Sequence, residues 1–149
     1  MKLDELLNKP LDFKVAELTK SFYSAEFNAG NREIRFFAQN EELEYTGDDE
    51  GNWTIEFGEV QSDGTMSHGK TRSGNEFEVF ATLKAIINDF IAKCNPQTIS
   101  FSADKDKKNN RARVYAKLFQ KNIPAGWRID KDDDDLYDSS VVFFTLVRK

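Results

Sequence analysis

Residues 73–96 read SGNEFEVFATLKAIINDFIAKCNP, and this stretch decides the fold. Large apolar side chains recur along it at the spacing of one helix face: Phe77, Phe80, Leu83, Ile87, Phe90 and Ile91. Ser73 followed by Glu76 matches a capping box at the start of a helix. The Asn95-Pro96 pair ends the pattern. The stretch therefore predicts a long amphipathic helix with one buried face.

A strand is predicted on each side of this helix. Trp53, Ile55 and Phe57 alternate with polar residues, which is the pattern of a half-buried strand. Gly58 within that strand predicts a bulge or a close backbone approach. Residues 98–103 predict the second strand. A strand–helix–strand unit of this kind makes a right-handed crossover between parallel strands.

The remaining segments predict a hairpin before this unit and closing strands after it. Before the unit, the sequence predicts a short helix over 2–8, a hairpin of 21–27 with 32–37, and an acidic strand end and loop over 41–50. After it, a second helix is predicted, capped by Asn109 or Asn110 and closed by Pro124 and Gly126. Strands over 127–129 and 141–147 follow, with an acidic loop at 130–138 between them. The hairpin and the closing strands should be antiparallel. The predicted fold class is therefore α+β, with a mixed, mostly antiparallel sheet and two principal helices in strand–helix–strand crossovers.

The composition bounds the class of protein. The chain has 149 residues, of which 26 are acidic and 21 basic, for a net charge of -5. We expect a single domain over 1–149, with a short helix or arm at 1–10 and the main core at 20–149. No apolar run approaches the roughly 20 residues that span a bilayer, and the start is charged, so we expect neither a membrane span nor a secretory signal. The acidic balance argues against nucleic acid as a partner.

Metal and disulfide chemistry find little support in the sequence. The single cysteine, Cys94, and the single histidine, His68, exclude an internal disulfide and a zinc site of the usual kind. The Asp-rich segment 130–138 starts like an EF-hand loop, but Asp135 stands where glycine is required and Val141 where glutamate is required. We therefore expect no metal site and a cytoplasmic location.

The order of elements resembles the fold of the GNAT acetyltransferases over about residues 21–147. In that family an antiparallel meander leads through a phosphate-binding loop into a long helix, and a strand, a second helix and two closing strands follow. The loop before the long helix contains Thr71, Arg72, Ser73, Gly74 and Asn75. The resemblance implies that these residues hold the pyrophosphate of acetyl-CoA through backbone N–H groups at the helix N-terminus.

A second stretch, residues 110–118, is similar to the closing helix of the same family. The resemblance implies that Tyr115 protonates the departing CoA thiolate. The residues alone also allow plainer roles. Tyr115 lies on an apolar stripe and can be a core residue, and Ser73 with Glu76 explains the loop as an ordinary capped helix start. His68, in a polar loop, is expected to be solvated.

Three features depart from the pattern of that family. Glu76 places a carboxylate where the pyrophosphate would lie. The Ala-to-Tyr spacing before Tyr115 is one residue short, and the Gly-aromatic pair that normally follows is displaced to Gly126 and Trp127. The paired N-terminal helices that build the acceptor site are missing or reduced. These departures favour a protein that keeps the fold without the catalysis.

Two functions of different classes follow from the sequence. The favoured one is a non-catalytic GNAT-like scaffold, without a cofactor, that acts through interaction with a protein, a basic one or further copies of itself. A further resemblance, to small uncharacterised proteins of tailed phages, implies a phage-encoded virion component or an inhibitor of a host protein, located in a virion or in the cytoplasm of a bacterial host.

The alternative is an acetyl-CoA-dependent N-acyltransferase, in which a substrate amine attacks the thioester directly. One structural feature separates the two functions. An enzyme needs an open cleft between the strands at 53–60 and 98–103. A scaffold can have filled this cleft with Phe side chains.

Overall fold

The computed structural model describes residues 10–60, 66–67, 76–104, 119–132 and 141–149. Its elements are β1 (Phe13–Leu18), β2 (Phe22–Ala29), β3 (Arg32–Gln39), α1 (Glu41–Thr46), β4 (Asn52–Val60), β5 (Met66–Ser67), α2 (Glu76–Cys94), β6 (Thr98–Asp104), β7 (Trp127–Asp132) and β8 (Val141–Arg148). The strand order in the sheet is β1-β2-β3-β4-β6-β8-β7, and β5 pairs with β4 beside this path. Among the described strands β4 and β6 pair in parallel and the other pairs are antiparallel. The predicted α+β class with a mixed, mostly antiparallel sheet is confirmed.

The first four strands form an antiparallel meander. A tight turn joins β1 to β2, and in it the Thr19 N–H donates to the Phe22 carbonyl at 2.8 Å. The turn between β2 and β3 contains Gly30, whose φ of 64° suits glycine. The sequence predicts β2 and β3 but not β1. Because β1 belongs to the sheet, the sheet begins at Phe13, whereas the core was expected to begin at position 20.

The closing part of the sheet is built around β8, which lies between β6 and β7 and is antiparallel to both. Arg148 at the end of β8 fastens this region to the C-terminal end of α2. Its Nε donates to the Pro96 carbonyl at 2.7 Å and its Nη2 to Asn95 Oδ1 at 2.8 Å. Its guanidinium also lies 4.9 Å from the centroid of the Trp127 ring.

The buried face of α2 packs on the meander. Phe90 lies at the centre, with ring centroids 5.1 Å from Trp53, 5.5 Å from Tyr23 and 6.3 Å from Phe36. All four side chains are buried. Most of the apolar stripe of the sequence is buried as predicted, namely Phe80, Leu83, Ile87 and Phe90. Burial of these large side chains is the main force that holds the helix on the sheet.

Two local expectations are wrong, and one of the two alternatives expected at Gly58 is not observed. The acidic stretch 41–50 does not continue a strand, because residues Glu41–Thr46 form α1. The register between β3 and β4 runs through Gly58 without a shift, so the bulge expected there is absent on that side of β4. β7 extends to Asp132, so the acidic segment expected to be a loop from 130 begins inside a strand.

The second predicted helix falls mainly outside the described residues. Residues 119–121 are helical, at the position expected for its last turn, whereas 110–118 are not described. The short helix expected over 2–8 is also outside the described residues. Within the described ranges, no helix is both long enough and apolar enough to cross a membrane.

Candidate functional site

The sheet opens where β4 and β6 separate. Their parallel pairing covers Asn52–Ile55 and Thr98–Phe101. β3 continues along the other edge of β4 as far as Glu59. β5 pairs with Glu59 and Val60. Because a strand has only two edges and β3 occupies one of them, β5 pairs with the same edge of β4 as β6, but further along the strand. The opening therefore spans the β4 backbone at residues 56–58, between these two partners.

Four phenylalanines from different segments meet on the α2 side of this opening. They are Phe57, Phe80, Phe101 and Phe119, and are called here the Phe119 cluster. The Phe119 ring centroid lies 4.8 Å from that of Phe80, 5.5 Å from Phe101 and 6.5 Å from Phe57. Phe119 is only 2% exposed. Rings at these separations pack against one another, so Phe side chains fill this side of the opening.

The paired helices of an acceptor site are absent from residues 10–60. The structure describes that range throughout, and its sole helix is α1, which is six residues long. The connection between β1 and β2 is the tight turn at Thr19. This range therefore agrees with the sequence prediction that those helices are missing or reduced.

α1 is held by its two ends. The Asn40 side chain caps the N-terminus, because its Oδ1 accepts the Leu43 N–H at 3.0 Å. Gly47 closes the C-terminus in the left-handed conformation, and its N–H donates to the Leu43 carbonyl at 3.1 Å. Asn40 is fully buried, and its Nδ2 also donates to Asp49 Oδ1 at 3.2 Å. The helix and the loop after it are thus fixed relative to the sheet, although α1 itself contains no buried residue.

α1 and the loop after it present an acidic surface. It comprises Glu41, Glu42, Glu44, Asp48, Asp49 and Glu50, and Tyr45 lies within the same segment of the sequence. Tyr45 is 77% exposed. Residues 36–69 contain nine Asp and Glu and no Lys or Arg, so the remainder of the chain is net basic although the whole carries -5. The acidic surface therefore lies in a long segment of the sequence that has no basic residue.

The residues that the sequence assigns to cofactor binding and catalysis fall outside the described part of the chain. They are Thr71, Arg72, Ser73, Gly74, Asn75 and Tyr115, together with His68. Their roles stay predictions. In the part that is described, no group of three or more His, Cys, Asp or Glu side chains is placed to hold a metal ion.

A partly buried polar contact between β2 and α2 was not predicted from the sequence. The Tyr23 hydroxyl donates to Asp89 Oδ2 at 2.7 Å, and Lys93 Nζ lies 3.1 Å from the same oxygen. Burial and the bond to Asp89 raise the pKa of Tyr23 well above its usual range. Burial also raises the pKa of Cys94, to about 11. Both groups stay protonated at neutral pH, so Cys94 lacks the thiolate that a nucleophile needs.

The described architecture is the one that the acetyltransferase resemblance implies: a meander, a long helix, a strand parallel to β4, and two closing strands. In its element order and strand pairing the described part of this chain is therefore GNAT-like. Among solved structures the chain matches one described as "Crystal structure of Probable acetyltransferase", at 12% sequence identity and a TM-score of 0.45. The match covers 86% of this chain and 62% of that protein. No family model matches the sequence, and no curated protein matches it significantly.

Proposed function

We propose that this chain is a non-catalytic GNAT-like scaffold that acts by binding a protein partner with a basic surface. The observation that carries the proposal is the Phe119 cluster on the α2 side of the opening between β4 and β6. Direct acyl transfer requires the thioester and the amine to meet in that opening. All four rings of the cluster are buried, and exposing one costs about 1.5–3 kcal/mol. Packing therefore opposes an open cleft.

The acidic surface is the feature that supports protein binding. α1 adds nothing to the core, yet it is capped at both ends and tied to the sheet through Asn40. Tyr45 offers an exposed aromatic ring, a residue type that dominates many interfaces. The surrounding carboxylates would steer a basic partner toward it and accelerate association at low salt.

Titration with acetyl-CoA tests the non-catalytic part of the proposal. We expect no saturable heat in calorimetry and no rise in Tm at millimolar acetyl-CoA, since a ligand that binds only the folded state raises Tm. Gly74→Asp is the matched variant, because it places a carboxylate in the predicted pyrophosphate loop. Saturable binding that Gly74→Asp abolishes would replace this proposal with the acyltransferase alternative. In that case Thr71–Asn75 would form the cofactor site and Tyr115 would be the candidate acid.

Capture of partners from a lysate at several salt concentrations tests the docking surface. The double variant Glu41→Gln/Glu50→Gln removes two exposed carboxylates from the acidic surface, and Glu17→Gln/Glu78→Gln removes two from elsewhere as a matched control. We expect the parent and the control to retain basic proteins at low salt and lose them at high salt. The Glu41→Gln/Glu50→Gln variant should retain less. If neither high salt nor the Glu41→Gln/Glu50→Gln substitutions reduce the amount of basic protein retained, the proposed docking surface is wrong.

The biological settings expected from the sequence remain proposals of the same kind. A virion component and an inhibitor of a host protein both act through a protein surface, which is the feature described here. Self-assembly is the remaining form of protein interaction, and sedimentation of the purified chain separates it from binding to a different partner.

A further inference from the structure

A groove lies between the middle of α2 and the segment 119–125. Its volume is about 350 Å³, within the range of roughly 300–1,000 Å³ for small-molecule sites. Ile87 and Phe119 lie beneath it and are only 1% and 2% exposed, so they close the groove on the core side. Ile123 and Pro124 add partly buried apolar surface to its wall. The groove can therefore hold the apolar body of a small ligand.

The polar residues of this groove have a positive balance. Lys84 and Asn88 line it and are four residues apart on α2, so both lie on the same helix face. Among the described residues that line it there is no Asp or Glu. Lys84 Nζ lies 5.9 Å from the centroid of the Phe80 ring, and within the described ranges no carboxylate forms an ion pair with it. A lysine in these surroundings favours an anion at the rim of the groove.

We propose that this groove binds a small monocarboxylate with an apolar chain. The carboxylate would pair with the Lys84 ammonium beside the Asn88 amide, while the chain lies against Ile123 and Pro124. A cation would be repelled at this rim, and a neutral molecule would lack the ion pair. The proposal does not depend on the acidic surface, which lies in a different segment of the chain.

Octanoate is the probe for this site, and octanamide is its neutral counterpart with the same apolar chain. We expect octanoate to bind the full chain saturably in calorimetry and to shift amide NMR signals of residues 84–88 and 119–125. Octanamide should bind at least about tenfold more weakly, because its neutral carbonyl can accept a hydrogen bond from Lys84 but cannot form an ion pair with it.

Lys84→Met tests the role of the ammonium, because methionine keeps an unbranched apolar side chain without the charge. Its affinity for octanoate should fall at least about tenfold, while its affinity for octanamide, which forms no ion pair, should fall less. Lys20→Met, in the exposed turn between β1 and β2, is the matched control and should bind octanoate as the parent does. The proposal is overturned by any of three results: no saturation with octanoate, equal affinities for octanoate and octanamide, or a Lys84→Met variant that binds octanoate like the parent.

Discussion

Gly51 and Gln97 lie in backbone contact where β4 and β6 begin. The Gly51 carbonyl accepts the Gln97 N–H at 2.8 Å, and a Cβ at Gly51 would lie 2.6 Å from the Gln97 Cγ. The φ of Gly51 is 78°, a conformation that other residues rarely adopt. The contact joins the loop before β4 to the residue before β6, so it fixes the start of the parallel pair.

Replacement of Gly51 by alanine should therefore destabilise the fold more than the same change at Gly47. Gly47 has a φ of 79°, but no atom lies within 4 Å of where its Cβ would be. Gly47→Ala thus reports the left-handed strain alone, about 1–2 kcal/mol. Gly51→Ala adds the displacement of Gln97. Urea unfolding measures both variants, and equal losses of stability would contradict the close contact.

Phe119→Ala should lower the free energy of unfolding by about 3–5 kcal/mol, because it empties the centre of the Phe119 cluster. Phe22→Ala is the comparison. It also removes a ring, but Phe22 is only partly buried and contacts Phe37 at 5.9 Å between centroids. Its loss should be smaller. Chemical denaturation followed by circular dichroism gives the free energy of unfolding of both variants. If Phe119→Ala lowers it no more than Phe22→Ala does, the Phe119 ring does not stabilise the packing at the opening.

Stability should decline at alkaline pH as Cys94 and Tyr23 lose their protons. Burial raises the pKa of Cys94 from 9.0 to about 11, and that of Tyr23 above its ordinary 10.0. The unfolded chain therefore releases these protons at a lower pH than the folded chain. Stability from Cys94 is complete below about pH 9 and is lost as the pH rises through about 11. Urea unfolding across this range should show a shallower decline for Cys94→Ala than for the parent; identical declines would refute the assignment.

Tyr45→Ala should reduce partner binding without changing the stability of the fold. Because Tyr45 is 77% exposed, we expect the free energy of unfolding to change by less than about 0.5 kcal/mol. Partner capture should nevertheless fall, since an exposed aromatic ring within an acidic surface can act as an anchor. Thermal unfolding tests the expected stability, and pull-downs with the same preparation test the expected loss of binding. Unchanged capture would remove Tyr45 from the proposed interface.

The elements that the sequence predicts well are those whose side chains alternate between core and solvent over a long stretch. α2 and β4 are the main cases. β1 escapes prediction because its register with β2 shifts between Val15 and Glu17, which breaks the two-residue period. α1 escapes for another reason: it has no buried residue, so it shows no apolar periodicity. Its readable signals are the two caps, Asn40 and Gly47.

The candidate site is less accessible to sequence reasoning. The sequence shows that an open cleft and a filled cleft imply different functions, but it does not predict which of the two is present. The Phe119 cluster unites side chains from β4, α2, β6 and the segment before β7, so no local pattern reveals it. The groove at Lys84 depends in the same way on contacts between distant segments. Thr71–Asn75 and Tyr115 lie outside the described residues, so their roles remain predictions.

The position of β8 between β6 and β7 has a consequence for folding during synthesis. The meander, α2 and β6 can assemble in the order in which they leave the ribosome, since each pairs with a segment already made. β7 cannot, because its described partner in the sheet is β8, which is translated after it. A nascent chain halted before Val141 would therefore hold Trp127–Asp132 without a neighbouring strand. Until residues 141–148 have been synthesised, the edge of β7 that β8 covers in the finished protein stays exposed.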